Sequence, residues 1–213
     1  MSKEIRGNMG KISEFTVRRM SSYFRLLAEL DSRSVPTVSS EQLAELGGIT
    51  SAQVRKDLSY FGSFGKRGLG YNVTELKEAI KRILGLHQRW SMALFGAGSL
   101  GHALFFYQGF PQDGFYFTHV FDADEAKIGT HWNSVEIRRV TEAEDRLKTN
   151  PVEIGVITTP DKAAQEVADI MIRAGVKGVL NFAPARVTLP DNMWLRNVNL
   201  AVALESLSFY LST

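Results

Sequence analysis

The chain has 213 residues, 44% of them hydrophobic, with 25 Lys and Arg against 23 Asp and Glu and no cysteine. That length suits one large domain or two small ones with real cores, and the missing thiol excludes disulfides, cysteine nucleophiles, thiolate metal sites and thiol redox sensing. No run of 18 apolar residues and no secretory leader is legible, so a cytoplasmic protein away from membranes is expected. The charge is unevenly spread: residues 1–90 carry 15 Lys and Arg against 9 Asp and Glu, and residues 91–213 carry 10 against 14. A basic front joined to an acidic back suggests a polyanion as partner of the front half.

Ser13 caps a predicted helix running to about Leu30, with Phe15, Met20, Tyr23, Phe24, Leu27 and Leu30 as its buried stripe. The run 33–38 reads as a break and a short extended piece. Ser39 with Gln42 is a capping box opening a short helix to Leu46, which Gly47 and Gly48 end. Thr50 with Gln53 reads as a second box, opening a helix to about Tyr60. Two short helices across a glycine turn form the helix-turn-helix pattern. Val54 and Leu58 of the second helix face inward, four residues apart. Gln53, Arg55, Lys56 and Ser59 remain for the outer face, types that read base edges or bind phosphate. The stretch from Phe61 to Tyr71 carries four glycines around Lys66 and Arg67 between aromatic residues, and reads as a β-hairpin with a basic tip, a wing. The plainer alternative is a helical protein-interaction domain with a solvated basic face. A third helix, Thr74 to about Leu84, closes this small core with Leu76, Ile80 and Ile83.

The most informative run follows, from Met92 to Gly101. An apolar strand breaks at Gly96, Gly98 and Gly101 into a helix, the spacing of a dinucleotide fingerprint. The first glycine allows the tight turn, the second lets backbone approach a pyrophosphate, and the third lets helix and strand pack closely. Residues His102 to Tyr107 suit a buried helix, and Phe115 to Phe121 a strand ending at Asp122, 21 positions after Gly101. An acid at about that offset accepts the adenosine ribose hydroxyls; with no Lys or Arg at 123–126 to meet a 2′-phosphate, NAD is favoured over NADP. The same pattern with no ligand is the plainer reading.

Beyond it, Val135 to Ile137 reads as a strand, and Thr141 to Glu144 as a capping box opening a short helix. Glu153 to Thr159 is a buried strand before Pro160; Thr158 and Thr159 are either cofactor contacts or caps for the helix that Asp161 opens. That helix ends at Ala174 and Gly175. Strands over Gly178–Asn181 and about Trp194–Val198 complete an α/β sheet. A final helix, Leu200 to Leu211, is apolar on more than one face, as in helices that build dimers. His87 and His131 read as loop residues, His102 as helical and His119 as strand. No His-Asp, Ser-His or Tyr-Lys constellation and no metal-ligand spacing stands out, so neither catalytic residues nor a metal is expected. Tyr107 either approaches a nicotinamide or packs.

With these residues in view, the sequence resembles the Rex family of bacterial redox-sensing transcriptional repressors over nearly the whole chain. The stretches that carry the resemblance are VSSEQLAEL, QVRKDLSYFGSFGKRGLGYNV, FGAGSLG, FDAD with Lys127-Ile128-Gly129, ITTP and GVLNFAPAR. It implies an N-terminal winged helix-turn-helix domain over 1–86, a Rossmann-type parallel-sheet domain binding NADH or NAD+ over 87–198, and a domain-swapped C-terminal helix over 199–213. It further implies a homodimer that binds a palindromic operator when NADH is low and leaves it when NADH binds. Carried over by residue, Arg55, Lys56 and Ser59 contact DNA in the major groove and Lys66 and Arg67 lie at the wing, with Ser39, Ser40, Gln53 and Tyr60 completing the DNA set. Gly96, Ala97, Gly98, Ser99, Leu100 and Gly101 cradle pyrophosphate, Asp122 binds ribose, and Asn181, Phe182, Ala183 and Pro184 line the nicotinamide end. Arg25 and Tyr107 correspond to the family's coupling residues. One departure stands out: Asn199 occupies the position where an Asp is expected to pair with Arg25. The rivals are an NAD-dependent dehydrogenase with a basic accessory domain and a CoA-binding protein of related fold that would not need Asp122.

Overall fold

The computed structural model describes residues 12–65 and 68–212. They divide into two compact units between Gln88 and Arg89.

In the first unit, α1 (Glu14–Ser32) starts at Ser13, whose hydroxyl accepts the Thr16 N–H at 3.2 Å. Met20, Tyr23 and Leu27 are fully buried, and Thr16 completes their inward row. Phe15, expected in this stripe, is 70% exposed because the i, i+4 spacing gives the inward place to its neighbour. β1 (Thr37–Val38) is followed by α2 (Ser40–Gly47), where the Ser39–Gln42 box forms in both directions and Gly48 ends the helix at φ 64°. α3 (Ser51–Ser59) forms only half of its expected box: Thr50 accepts the Gln53 N–H, but the Gln53 side chain turns elsewhere.

Among the described residues, the segment after Tyr60 returns on itself, Gly65 lying against Gly70 and Tyr71, but it forms no strand pair of its own. β2 (Tyr71–Asn72) pairs antiparallel with β1 instead. Gly62, Gly65, Gly68 and Gly70 all have positive φ, and such residues bring no side chains to a cross-strand ladder. A Cβ at Gly70 would lie 2.6 Å from the Val38 carbonyl oxygen, so glycine is what lets β1 and β2 close. Lys66 and Arg67 lie outside the described residues. α4 (Val73–Ile83), capped by Asn72, buries Val73, Leu76 and Ile80 in one core with Leu43, Val54 and Leu58.

In the second unit the strands are β3 (Trp90–Phe95), β4 (Phe115–Asp122), β5 (His131–Trp132), β6 (Val135–Arg139), β7 (Ile154–Ile157), β8 (Gly178–Asn181) and β9 (Trp194–Asn197), in sheet order β5-β6-β4-β3-β7-β8-β9. All neighbours are parallel except β5 with β6. Alternate residues of β3 feed opposite faces: Ala93 and Phe95 join one core, Met92 and Leu94 the other. The sheet order reverses at β3, so the carboxyl ends of β3, β4 and β7 open a crevice, where such sheets bind ligands.

Between these strands run α5 (Ser99–Phe105), α6 (Gly109–Gln112), α7 (Ala143–Thr149) and α8 (Asp161–Arg173). The buried helix expected through Tyr107 is shorter and more open: α5 stops at Phe105, with His102, Ala103 and Tyr107 exposed. Its aromatic end instead packs ring on ring, Phe105 against Phe117 and Trp132. The box expected at Thr141 is a 3-10 turn, Val140–Glu142, and no side chain caps α7; His131 lies in β5, not in a loop. α9 (Leu200–Leu211) has no buried residue in this single chain. Among the described residues, no helix is long and apolar enough to cross a membrane.

Candidate functional site

Three glycines shape the end of β3, each for its own reason. Gly96 sits at φ 104°, and a Cβ there would meet the Thr158 carbonyl at 2.8 Å. At Gly101 a Cβ would overlap the Gly96 carbonyl oxygen. Gly98 is different: nothing lies within 4 Å of where its Cβ would stand. The packing of the protein itself therefore does not require glycine at 98, and the backbone there is open to an approaching group. Ala97 is buried beside it, while Ser99 and Leu100 are exposed at the start of α5, and no side chain caps that first turn.

Asp122 ends β4 facing this turn. Its Oδ2 accepts the Ala97 N–H at 2.5 Å and its Oδ1 accepts the Asp124 N–H at 2.8 Å. Lys127 Nζ also reaches Asp122 Oδ2 at 3.4 Å. A cation therefore stands at this position after all, one residue beyond the window 123–126.

At the end of β7, Thr158 Oγ1 contacts the Phe95 and Gly96 carbonyls at 3.0 and 2.8 Å. Neither threonine caps α8, whose N-cap is Pro160 with no side-chain bond. Thr158 locks the glycine turn. Thr159 Oγ1 is the only buried side-chain polar atom among the described residues without a partner. A buried hydroxyl in that state costs free energy until a partner arrives. At the end of β8, Asn181 is 1% exposed and spends its amide inside the protein: Oδ1 accepts the Ala183 N–H, and Nδ2 donates to the Ala185 carbonyl and Asn197 Oδ1. It fixes the path of Phe182, Ala183 and Pro184 rather than offering free donors. The open space at Gly98 and the orphan hydroxyl of Thr159, on neighbouring strand ends, both fit a bound dinucleotide.

In the first unit, α3 turns Val54, Asp57 and Leu58 inward and leaves Arg55, Lys56 and Ser59 exposed, with Tyr60 half-buried. Arg55 is already engaged: it donates to Ser40 Oγ at 2.9 Å and pairs with Glu41 at 3.2 Å. The Ser59 hydroxyl donates to the Lys56 carbonyl, and Ser39 is committed to capping α2. Gln53 departs from its expected outward, base-reading position, because its Nε2 donates to Asp57 Oδ1 at 2.8 Å.

Asp57 is the residue that sequence reasoning missed. Its carboxylate is fully buried and takes Arg19 Nε at 2.6 Å, Arg19 Nη2 at 2.8 Å, the Tyr23 hydroxyl at 2.8 Å and Gln53. Burial pushes its pKa up, but the hydrogen bonds from Arg19, Tyr23 and Gln53 outweigh that and hold it below the usual carboxylate value. Burial, then the Asp57 bond, push the Tyr23 hydroxyl well above its ordinary value. The signal was present: position 57 shares the inward face of Val54 and Leu58, so an acid there demands a partner.

Arg25 is exposed on α1. Tyr107 is 57% exposed, its ring edge-on to Phe110 at 5.1 Å. Asn199 is the N-cap of α9, its Oδ1 accepting the Ala201 N–H at 2.9 Å; this is a task Asn performs as well as Asp.

Comparison with known proteins agrees with both units. A family model described as a CoA binding domain matches residues 87–185, and one described as a putative DNA-binding protein N-terminus matches residues 11–59. The redox-sensing transcriptional repressor Rex of Desulfitobacterium hafniense is 50% identical over 95% of this chain and 97% of its own. That of Carboxydothermus hydrogenoformans is 49% identical over 93% and 96%. Among solved structures, the Rex-family repressor RSP in complex with β-NAD+ and operator DNA superposes with a TM-score of 0.91 at 38% identity, covering 94% of this chain and 92% of that one. The same protein in complex with β-NADH gives 0.87 at 36% identity, covering 94% of each.

Proposed function

The chain belongs to the Rex family of redox-sensing transcriptional repressors, and from that premise we propose that it binds a palindromic operator when NADH is low and releases it when NADH binds. The observation that carries the reading is the open space at Gly98, between the strained Gly96 turn and the close-packed Gly101, in a chain whose other unit presents Arg55 and Lys56 on an exposed helix.

NADH and NAD+ differ at the nicotinamide ring, neutral in one and cationic in the other. Gly96 to Gly101 hold the pyrophosphate backbone and Asp122 the adenosine ribose. Phe182, Ala183 and Pro184 give the nicotinamide end an apolar wall that penalises the cation more than the neutral ring. Thr159 lends its hydroxyl to the ligand. The chain acts as a regulator rather than an enzyme, and works in the cytoplasm, where its operator is.

The active form is a homodimer. Leu200, Val202, Leu204, Leu207, Phe209, Tyr210 and Leu211 of α9 are each 57–87% exposed in the single chain. So large an apolar surface is the mark of an interface, and a second copy supplies its cover by exchange of α9. Two copies present two α3 helices to successive major grooves of a palindrome. Arg55, Lys56 and Ser59 face the bases, with Tyr60 on the flanking backbone and Lys66 and Arg67 adding positive charge; Ser40, 7% exposed, braces Arg55 instead of meeting DNA, and Ser39 keeps to its cap. Arg25, Tyr107 and Asn199 connect cofactor state to DNA affinity.

The test is a paired titration at one stated salt concentration. NADH lowers operator affinity, and operator lowers NADH affinity by the same factor, because linkage is reciprocal. Equal NADH affinity with and without operator would overturn the reading.

A further inference from the structure

We propose that Lys127 is a second ligand of the adenosine ribose, and that Asp124, by holding Lys127, sets the preference for NAD(H) over its 2′-phosphorylated form. The inference rests on the dinucleotide reading of the Gly96 turn.

It starts from the hydrogen-bond capacity of Asp122. An ionised carboxylate offers about four lone-pair positions. Asp122 Oδ2 is shared by the Ala97 N–H and Lys127 Nζ, and Oδ1 receives the Asp124 N–H. One position remains, on Oδ1. Asp122 therefore accepts one ribose hydroxyl and has nothing left for the other. The donor beside it does. Lys127 Nζ lies 3.4 Å from Asp122 Oδ2 and 3.3 Å from Asp124 Oδ2. An ammonium has three N–H groups, so these two contacts leave one for the second hydroxyl.

The turn after β4 is built to deliver that ammonium. The Asp124 N–H bonds back to Asp122, Asp124 Oδ1 accepts the Ala126 N–H at 3.0 Å, and the Lys127 N–H bonds to the Asp124 carbonyl at 3.0 Å. The Lys127 side chain is 37% exposed and returns to the strand end instead of extending into solvent.

Charge then determines selectivity. Two carboxylates and one ammonium leave this corner with a net negative charge, the neighbouring Arg139 being cancelled by its ion pair with Glu125, and that charge repels a 2′-phosphate. Asp124 supplies the surplus. Asn at 124 keeps an oxygen for the Ala126 N–H and removes only the charge, leaving Asp122 and Lys127 balanced.

The experiment measures NADH and NADPH affinity of the full chain by nicotinamide fluorescence, for wild type, Lys127→Met, Lys127→Arg and Asp124→Asn, with melting temperatures alongside. Lys127→Met weakens NADH by about tenfold, the loss of one charge-assisted hydrogen bond, and Lys127→Arg restores part of it. Asp124→Asn narrows the NADH-to-NADPH ratio by about fivefold, the size of one partly exposed charge interaction. Wild type binding NADH while Lys127→Met binds it equally well would overturn the ribose role. An unchanged ratio in Asp124→Asn would overturn the selectivity role, and decides the matter if Lys127→Met proves unstable. Wild type binding neither nucleotide would remove the dinucleotide reading itself, and this inference with it.

Discussion

Arg19 grips Asp57 side-on, Nε to Oδ2 at 2.6 Å and Nη2 to Oδ1 at 2.8 Å, with the carboxylate fully buried. The pair ties α1 to α3, the helix that carries Arg55, Lys56 and Ser59. With Tyr23 and Gln53 added, the lone pairs of Asp57 are filled. Removing a partner from such a pair leaves an uncompensated buried charge, so Arg19→Ala destabilises by about 3–5 kcal/mol. Asp57→Ala exacts a similar loss, and the double variant costs less than the two singles added together. Urea unfolding of the four proteins checks this; simple additivity would show that the two residues act independently.

The same carboxylate sets a pH dependence at the acid end. Its pKa in the folded state is depressed below the ordinary value of about 4. The stability it contributes is therefore present above that ordinary value and is lost as pH falls through the folded one. Tyr23 acts at the opposite end: its pKa is raised, so its contribution is full below about 10 and is lost as pH rises above that. Urea unfolding across pH, for wild type and Asp57→Asn, shows a shallower acid limb in the variant. Superimposable acid limbs would assign acid lability to another group.

The glycines of the cofactor turn separate by readout. Gly101→Ala drives a methyl into the Gly96 carbonyl and lowers stability before any ligand is added. Gly98→Ala meets open space in the free protein and leaves its melting temperature within about 0.5 kcal/mol of wild type in stability terms. It fills the space left for the pyrophosphate and weakens NADH strongly. Thermal melts with and without NADH distinguish the two; a destabilised free Gly98→Ala would show that the space serves the fold instead.

Legibility in the sequence followed the range of the interaction. The Gly96–Gly98–Gly101 spacing, the Ser39–Gln42 box and the strand runs themselves are local patterns, and the structure forms them as read. The failures involve side chains whose choice of partner the local pattern does not decide. Gln53 looked like a capping partner until Asp57 claimed its side chain, and Asp57 itself answers to Arg19, 38 positions earlier. The stretch 61–71 does fold back, Gly65 against Gly70, but β2 takes its strand partner in β1, more than thirty residues back. Lys127 fell outside a window drawn by sequence offset, although the turn at Asp124 folds it back onto Asp122.

The Arg55–Glu41 pair makes a prediction about DNA. Its side chains are 53% and 68% exposed, so the pair adds at most about 1 kcal/mol to stability. Glu41→Gln leaves the melting temperature nearly unchanged. It releases Arg55 from its ion pair, leaving only the bond to Ser40 Oγ, and removes a charge that repels phosphate, so affinity for unrelated DNA rises more than affinity for the operator. Arg55→Ala costs about 1–3 kcal/mol at one operator base step. Anisotropy titrations with operator and scrambled duplexes at one salt concentration read both; a Glu41→Gln protein with an unchanged specificity ratio would mean that the pair does not restrain Arg55.

Thr159 gives the most direct link between the cofactor crevice and the free protein. Its Oγ1 is buried without a partner, and an unsatisfied buried hydroxyl costs about 1–3 kcal/mol. Thr159→Val keeps the branched shape and removes the oxygen. If the hydroxyl is reserved for a ligand, the variant is more stable than wild type when free and gains less stability when NADH is added, since stabilisation by a ligand follows its affinity. Thr158→Val, by contrast, breaks the bonds to Phe95 and Gly96 and destabilises the free protein. Melting both variants across an NADH series resolves the two roles. Should Thr159→Val lose stability when free and respond to NADH as wild type does, the hydroxyl has a partner within the protein and no part in holding the dinucleotide.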